Sequence, residues 1–269
     1  MNDVDAQAQR DRVQRFYDRW TPAFIEGFGT TFQAGLAKPT GDAAEDPATS
    51  ARVLAARAGV RDGDRILDAG CGVGGPAIAI AGAYAKVRIH GVTLSAVQGH
   101  IGKTLVAEAG LSGRVTIGRA DFHHLPFADG SFDVALILEA CGYSPDRPAL
   151  FAEAARVLRP GGNLYVKDVF ARSGALTDVQ TRTLAAFDNM WHLASSATLP
   201  EVAHALIHAG CDVVIAEELP NVGTDRFVAA MVEPDPDMIL RLSELGRTFG
   251  FSGPECPTFF GEVLARRRE

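Results

Sequence analysis

The residues with the clearest capacity for chemistry form one short stretch at positions 66–75, with the sequence ILDAGCGVGG. Apolar residues precede Asp68, and an alanine-rich run, PAIAIAGAYA, follows Gly75, so the stretch predicts a buried strand, a glycine-rich turn and a helix. Glycine lets a backbone approach a ligand closely, and the first turn of a helix presents free N–H groups. This arrangement is typical of a nucleotide-binding site.

The spacing of the glycines and the presence of Asp68 indicate which kind of nucleotide the turn could bind. The turn contains Gly70, Gly72, Gly74 and Gly75. Their pattern, G-x-G-x-G-G, is one residue tighter than the G-x-G-x-x-G that binds NAD or FAD. Asp68 would repel a pyrophosphate but could bind the ammonium group of an amino-acid moiety. A positively charged nucleotide with an amino-acid tail fits better, and S-adenosylmethionine is the common one.

Composition excludes several classes of protein. The 269 residues are 47% hydrophobic, and 26 Lys+Arg against 33 Asp+Glu give a formal net charge of -7, which favours a globular protein and disfavours nucleic acid as the main partner. The charged N-terminus lacks the apolar core of a signal peptide, and no segment approaches an uninterrupted membrane span. Four cysteines without a C-x-x-C pair suit a reducing compartment. We therefore expect a cytoplasmic protein that acts on a small molecule. The composition leaves open whether the protein associates with itself.

Strand and helix patterns alternate from about residue 51. Helices are predicted at 51–58, 76–84, 95–109 and 147–158, and strands at 65–68, 87–92, 115–119, 133–138 and 163–168, with a turn at RPGG. Such alternation predicts an α/β fold with a doubly wound, mostly parallel sheet that binds ligands at the carboxyl ends of its strands.

The flanking segments predict additions to this core. Pro22 should break or redirect a helix at 6–20, and an aromatic and glycine-containing stretch follows it, so residues 1–50 are expected to form a cap. Residues 51–170 would form the nucleotide-binding core. Residues 171–269 would contain a helical insertion at 176–194, a helix at 200–209, and closing strands at 212–219 and 259–267.

Three stretches resemble successive motifs of the class I S-adenosylmethionine-dependent methyltransferases. They are LDAGCGVGG, ADFHHLPFADGSFDVALILEA and FAEAARVLRPGG, and they cover about residues 50–170. The resemblance implies a Rossmann-like methyltransferase fold, with S-adenosylhomocysteine as the product of the cofactor. It also implies that the methionine part is held by Asp68, Gly70 and Gly72, that the adenine lies at Asp121 and Phe122, and that Leu138 and Glu139 end the strand beneath the sulfonium.

One feature departs from the family pattern. Many members have an acidic residue after the second strand that binds the ribose hydroxyl groups, whereas this chain has GVTLSAVQ, so Thr93, Ser95 and Gln98 would supply polar contacts. The expected cofactor-binding set is Tyr17, Asp68, Gly70, Cys71, Gly72, Thr93, Leu94, Ser95, Gln98, Asp121, Phe122 and Leu138.

The segments YDRWTPAFIEGFGTTFQAG and LILEACGYSPD resemble sterol, tocopherol and isoprenoid C-methyltransferases and related natural-product methyltransferases. The resemblance implies C-methylation of an isoprenoid, a terpenoid or a prenylated natural product. O-methylation requires a base, often a histidine near the sulfonium. The sugar O-methyltransferases that the core resembles have histidine about where Cys141 and Gly142 stand, and this chain has none there.

C-methylation of an alkene instead requires an apolar pocket, aromatic faces beside a carbocation, and a group that removes a proton. The candidate catalytic residues are Glu139, Tyr17 and Asp168, although Asp168 could instead cap a loop. The candidate acceptor pocket contains Phe24, Phe28, Phe32, His123, Trp191 and Phe259, although the aromatic residues could simply pack the cap.

Several alternatives remain open. An O- or N-methyltransferase could use His123, His124 or Asp168 as its base, and a binding protein could retain the nucleotide site without catalysis. The acceptor could carry a diphosphate, although few basic residues lie in the cap. His204 and His208 have i,i+4 spacing, but their context is that of an ordinary helix, so no metal is predicted.

Overall fold

A seven-stranded sheet forms the centre of the chain, in the order β3-β2-β1-β4-β5-β7-β6. The computed structural model describes residues 3–33, 47–219 and 256–269. The strands are β1 Arg65–Ala69, β2 Arg88–Thr93, β3 Val115–Arg119, β4 Phe132–Leu138, β5 Leu158–Ala171, β6 Cys211–Glu218 and β7 Thr258–Arg267. Strands β1 to β5 pair in parallel, and β7 lies antiparallel between β5 and β6. The predicted α/β, mostly parallel sheet is confirmed.

Helices cover both faces of this sheet. They are α1 Asp3–Phe28, α2 Pro47–Arg57, α3 Gly75–Ala83, α4 Ala96–Glu108, α5 Arg147–Val157, α6 Asp178–Met190 and α7 Leu199–His208. One buried cluster joins α2, α3 and α4 to the sheet, and a second joins α5 and α7 to its other face. Strand β1 lies between β2 and β4, where the strand order reverses. The loops after β1 and β4 therefore meet in the crevice where such sheets bind ligands.

The structure corrects two sequence-based expectations. Pro22 does not end the first helix, because α1 continues to Phe28. Proline removes one helical hydrogen bond, but Phe16 and Phe24 on either side of it are buried against Met190, and this packing holds the helix together.

The segment RPGG is the second correction, since it is an irregularity inside β5 rather than a turn before it. Phe132 pairs with Leu158 and Val134 pairs with Asn163, so the intervening residues bulge out of the ladder. Gly161 has φ +71°, a conformation that permits such a bulge without side-chain strain.

Helix α1 packs across the carboxyl edge of the sheet. Its Gln9 and Arg12 side chains donate hydrogen bonds to the backbone carbonyls of His192 and Leu193.

Within the described ranges, no helix combines the length and apolar character that crossing a membrane requires.

Candidate active site

The glycine turn after β1 has the backbone geometry that its sequence predicts. Gly70 has φ +90°, and a Cβ atom there would lie 2.6 Å from the Cβ atom of Ala140. Helix α3 begins immediately after the turn, with Pro76 in its first turn. The turn therefore brings backbone N–H groups and the start of a helix to one edge of the crevice.

Asp68 is a buried carboxyl group at the end of β1. It is 1% exposed, and burial raises its pKa to about 7. Its Oδ2 atom has no hydrogen-bond partner in the described part of the chain. A buried polar atom without a partner is costly, so the site is suited to a cationic donor. The ammonium group of S-adenosylmethionine fits this requirement.

Three predicted ribose contacts form a buried network. The Thr93 hydroxyl donates to Gln98 Oε1 at 2.7 Å, and Ser95 caps α4 by accepting a hydrogen bond from the backbone N–H of Gln98. The Ser95 hydroxyl also donates to Asp18 Oδ1 at 2.5 Å, and the backbone N–H of Val97 donates to the same oxygen. Asp18 of α1 thus brings a carboxylate to a region where the sequence after β2 has none.

The predicted adenine side is organised around Asp121. Its Oδ1 accepts a hydrogen bond from the His123 backbone N–H and lies 2.7 Å from His123 Nδ1, while Oδ2 is 3.5 Å from Arg10 Nε. Burial works against ionisation here, but the hydrogen bonds from His123 prevail and lower the pKa of Asp121. His123 Nε2 lies 2.8 Å from Ser144 Oγ. Both ring nitrogens of His123 are therefore engaged, which favours a role in orienting Asp121.

Glu139 lies directly after β4, at the centre of the crevice. It has φ +52°, a left-handed conformation that is unusual for a residue other than glycine. Its Oε1 atom is in contact with Nζ of Lys167. The sequence analysis did not identify Lys167, because a lysine inside an apolar strand carries no local signal of its partner.

Asp168 and Tyr17 are the other candidate catalytic residues. Asp168 accepts hydrogen bonds from the backbone N–H groups of Cys141 and Val169, at 2.9 and 2.8 Å. Burial outweighs these bonds and raises its pKa. The hydroxyl groups of Tyr17 and Tyr143 lie 2.6 Å apart. Sequence reasoning missed Tyr143, although it lies in the quoted LILEACGYSPD stretch.

Aromatic side chains form part of the cavity wall. Phe24 packs against Phe32 and Trp191, with ring centres 5.9 and 6.4 Å apart. These rings both pack α1 against its neighbours and border the cavity, so the two alternatives of the sequence analysis coexist. The predicted wall residues Phe24, Phe32, His123, Trp191 and Phe259 all border the cavity, together with Phe187 and Phe260. The Phe28 side chain lies outside the described residues.

One continuous cavity extends from the predicted cofactor-binding residues to the aromatic residues of the predicted acceptor pocket. Its lining includes the predicted residues Tyr17, Gly70, Cys71, Gly72, Thr93, Leu94, Ser95, Gln98, Phe122, Leu138, Glu139 and Asp168. Asp68 and Asp121 are not among the residues that line it. Across the described ranges, no group of three or more His, Cys, Asp or Glu residues is arranged to hold a metal ion.

A family model described as a methyltransferase domain matches residues 66–162, which contain the glycine turn, Asp121 and Glu139. Residues 66–162 thus form an S-adenosylmethionine-dependent methyltransferase domain. Members of this family take the methyl group from S-adenosylmethionine, and the buried carboxyl of Asp68 fits that cofactor.

Three curated relatives show the range of the family. The methyltransferase GfsG of Streptomyces halstedii is 37% identical over 68% of this chain and 65% of its own length. Cycloartenol-C-24-methyltransferase 1 of Oryza sativa subsp. japonica is 34% identical over 56% of this chain and 44% of its own. The 27-O-demethylrifamycin SV methyltransferase of Amycolatopsis mediterranei is 43% identical over 43% and 42%. The chain thus spans less than two thirds of the length of these methyltransferases.

The fold extends beyond the matched domain. The [4+2]-cyclase SpnF superposes with a TM-score of 0.81 at 23% identity, over 96% of this chain and 97% of that one. Similarity at this level shows the fold alone. It leaves the reaction to the residues that border the cavity.

Proposed function

We propose that this protein transfers a methyl group from S-adenosylmethionine to a carbon atom of a small, largely apolar acceptor, either an isoprenoid or terpenoid or a prenylated natural product. The observation that carries the proposal is the continuous cavity, which is lined by aromatic side chains, by the glycine turn and by Glu139. An apolar, aromatic pocket with a carboxylate at the expected reaction centre suits an alkene acceptor.

Each of these residues would have a separate role in binding or catalysis. Asp68 would bind the ammonium group, Thr93, Ser95 and Gln98 would surround the ribose, and Asp121 with Phe122 would hold the adenine. When bound, S-adenosylmethionine supplies an electrophilic methyl group. The acceptor carbon would take that methyl group, and the cofactor would leave as S-adenosylhomocysteine. The aromatic faces of Phe24, Phe32 and Trp191 stabilise the resulting cation, and Glu139 accepts the proton that leaves the acceptor.

The occupied hydrogen-bonding positions favour carbon over oxygen as the methylated atom. An O-methyltransferase needs a base with a free lone pair near the acceptor hydroxyl. His123 has both ring nitrogens engaged, and the His124 side chain is 82% exposed. Asp168 is held by two backbone N–H groups, although its raised pKa keeps it the strongest candidate for the O- or N-methylation alternative.

We also propose the division into a cap at 1–50, a core at 51–170 and an acceptor-side segment at 171–269, although β6 and β7 join the same sheet as the core. A small-molecule acceptor and a cytoplasmic location belong to the same proposal. All four cysteines are free and buried, as suits a reducing compartment.

The test is a turnover assay with methyl-labelled S-adenosylmethionine and a panel of terpenoid alcohols, prenyl diphosphates, sterols, prenylated indoles and phenols. We expect a product whose new methyl group is bonded to carbon in its NMR spectrum. The Glu139→Gln variant should lower kcat by about two orders of magnitude or more, the usual scale for losing a general base, with little change in cofactor Kd. Methylated oxygen or nitrogen would contradict C-methylation. Tight cofactor binding without turnover of any acceptor would favour the non-catalytic alternative.

A further inference from the structure

Lys167 is a completely buried cation in the middle of β5. Its side chain is 0% exposed, and its Nζ atom contacts Glu139 Oε1 and lies 4.5 Å from the centre of the Phe260 ring. Glu139 and Phe260 border the cavity, whereas Lys167 lies behind them. A buried ammonium group is costly unless it is paired, so the position of Lys167 is tied to that of Glu139.

The same lysine also holds the backbone of Glu139. The backbone N–H of Glu139 donates a hydrogen bond of 2.6 Å to the carbonyl oxygen of Lys167. The left-handed conformation of Glu139 is strained and persists only where surrounding contacts enforce it. Lys167 therefore restrains Glu139 at two points, its backbone and its carboxylate.

A second buried ion pair adjoins the first. Lys167 is the cross-strand partner of Glu262 on β7, and Glu262 is paired with Arg57 and accepts a hydrogen bond of 2.5 Å from the Tyr165 hydroxyl. Opposite charges thus alternate from Arg57 through Glu262 and Lys167 to Glu139. Lys167 is thus in direct contact with Glu139 and is the cross-strand neighbour of the ion pair between Arg57 and Glu262.

We propose that Lys167 is a positioning residue that fixes the Glu139 carboxylate, in its ionised form, at the edge of the cavity where the acceptor loses its proton. This inference rests on the proposed function. Among the described residues, Glu139 interacts electrostatically with Tyr17 and Tyr143, and Lys167 with Asp168. Burial raises the pKa of both tyrosines, so they stay neutral, and the Lys167 ammonium group contacts Glu139 directly.

The test compares Lys167→Met, Lys167→Arg and Tyr165→Phe in the full chain. Loss of the ammonium group disfavours the ionised carboxylate, so Lys167→Met should move the acid limb of the kcat profile at least about one unit to higher pH. At pH 7 we expect kcat to fall at least about tenfold while cofactor Kd changes less than about threefold. Lys167→Arg keeps the charge and should keep the acid limb of the wild type. Tyr165→Phe disturbs the same strand without touching Glu139 and should leave the acid limb unchanged.

A double variant keeps the test decisive even if Lys167→Met folds poorly. Glu139→Gln with Lys167→Met replaces the ion pair by a neutral pair, and its kcat should equal that of Glu139→Gln alone if Lys167 acts only through Glu139. An additional large loss in the double variant would overturn the proposal, as would an unshifted acid limb in folded Lys167→Met. A near-normal kcat in Glu139→Gln would instead refute the proposed role of Glu139 itself.

Discussion

The hydroxyl groups of Tyr17 and Tyr143 share a hydrogen bond of 2.6 Å, which joins α1 to the short helical turn Cys141–Tyr143 after β4. Burial raises the pKa of both residues well above the usual range, so both stay protonated near neutral pH. A neutral phenol donates hydrogen bonds but is a poor base. This relationship weighs against Tyr17 as the proton acceptor and leaves Glu139 as the stronger candidate.

The first prediction concerns this pair of tyrosines. Tyr17→Phe should cost about 1 kcal/mol of unfolding free energy, the usual net value of one hydrogen bond, and should lower kcat less than about tenfold. Tyr143→Phe removes the same bond and is the matched control. In a double-mutant cycle the two effects should not add, because the second substitution finds no bond left to break. A loss of two orders of magnitude in Tyr17→Phe alone would restore Tyr17 as a base.

The second prediction is a pH dependence of cofactor binding. Because burial raises the pKa of Asp68 to about 7, the carboxyl group of the free protein becomes neutral as the pH falls below that value. The bound ammonium group requires the ionised carboxylate. Affinity should therefore fall as the pH drops from 7 to 5.5, approaching about tenfold per unit.

Calorimetry in buffers of different ionisation enthalpy checks this prediction, because binding at pH 7 should release about half a proton from Asp68. In Asp68→Asn, binding should be weaker and the pH dependence below 7 should disappear. Constant affinity of the wild type across that range would show that Asp68 does not carry the cofactor's charge.

The third prediction tests the contact between Asp18 and the start of α4. The Asp18 carboxylate accepts hydrogen bonds from Ser95 Oγ and the Val97 backbone N–H, an arrangement that resembles a helix cap supplied by another helix. Asp18→Ala should cost about 1 kcal/mol of stability and raise the KM for the cofactor, because Ser95 and Gln98 lose their support, with a smaller change in kcat.

Asp11→Ala is the matched control for Asp18→Ala. Asp11 lies on the same helix and accepts a hydrogen bond from Gln7 at the surface. This substitution should leave both stability and KM nearly unchanged. If the two substitutions changed KM equally, the contact of Asp18 with the start of α4 would not contribute to cofactor binding.

The fourth prediction uses two glycines of α3. A Cβ atom at Gly75 would lie 2.1 Å from the carbonyl oxygen of Thr30, whereas one at Gly82 would meet nothing within 4 Å. Gly75→Ala should push the chain after α1 away from the glycine turn and lower cofactor affinity at least about tenfold. Gly82→Ala should stabilise the protein by about 0.5–1 kcal/mol without changing affinity. Isothermal titration and thermal unfolding measure both, and unchanged affinity in Gly75→Ala would contradict close packing there.

Local sequence determined the core of the fold and the cofactor side. Strand, turn and helix at 65–84 follow from apolar periodicity and glycine chemistry, because these preferences act between residues that are close in the chain. The predicted break of the first helix at Pro22 was wrong, because packing of Phe16 and Phe24 overrides a local helix-breaking preference. The predicted turn at RPGG was also wrong, because pairing with β4 makes this segment part of β5.

Only the tertiary structure decided which polar groups meet. The partners in Glu139–Lys167, Asp18–Ser95 and Tyr17–Tyr143 are separated by 28, 77 and 126 positions, so no local pattern connects them. The sheet order places β5 beside β4, which brings Lys167 under Glu139, and the packing of α1 across the sheet edge brings Asp18 and Tyr17 to their partners. The sequence by itself predicted a site for a charged nucleotide after β1. The contacts that orient the proposed proton acceptor arise from strand order and helix packing, because burial and charge pairing act through space.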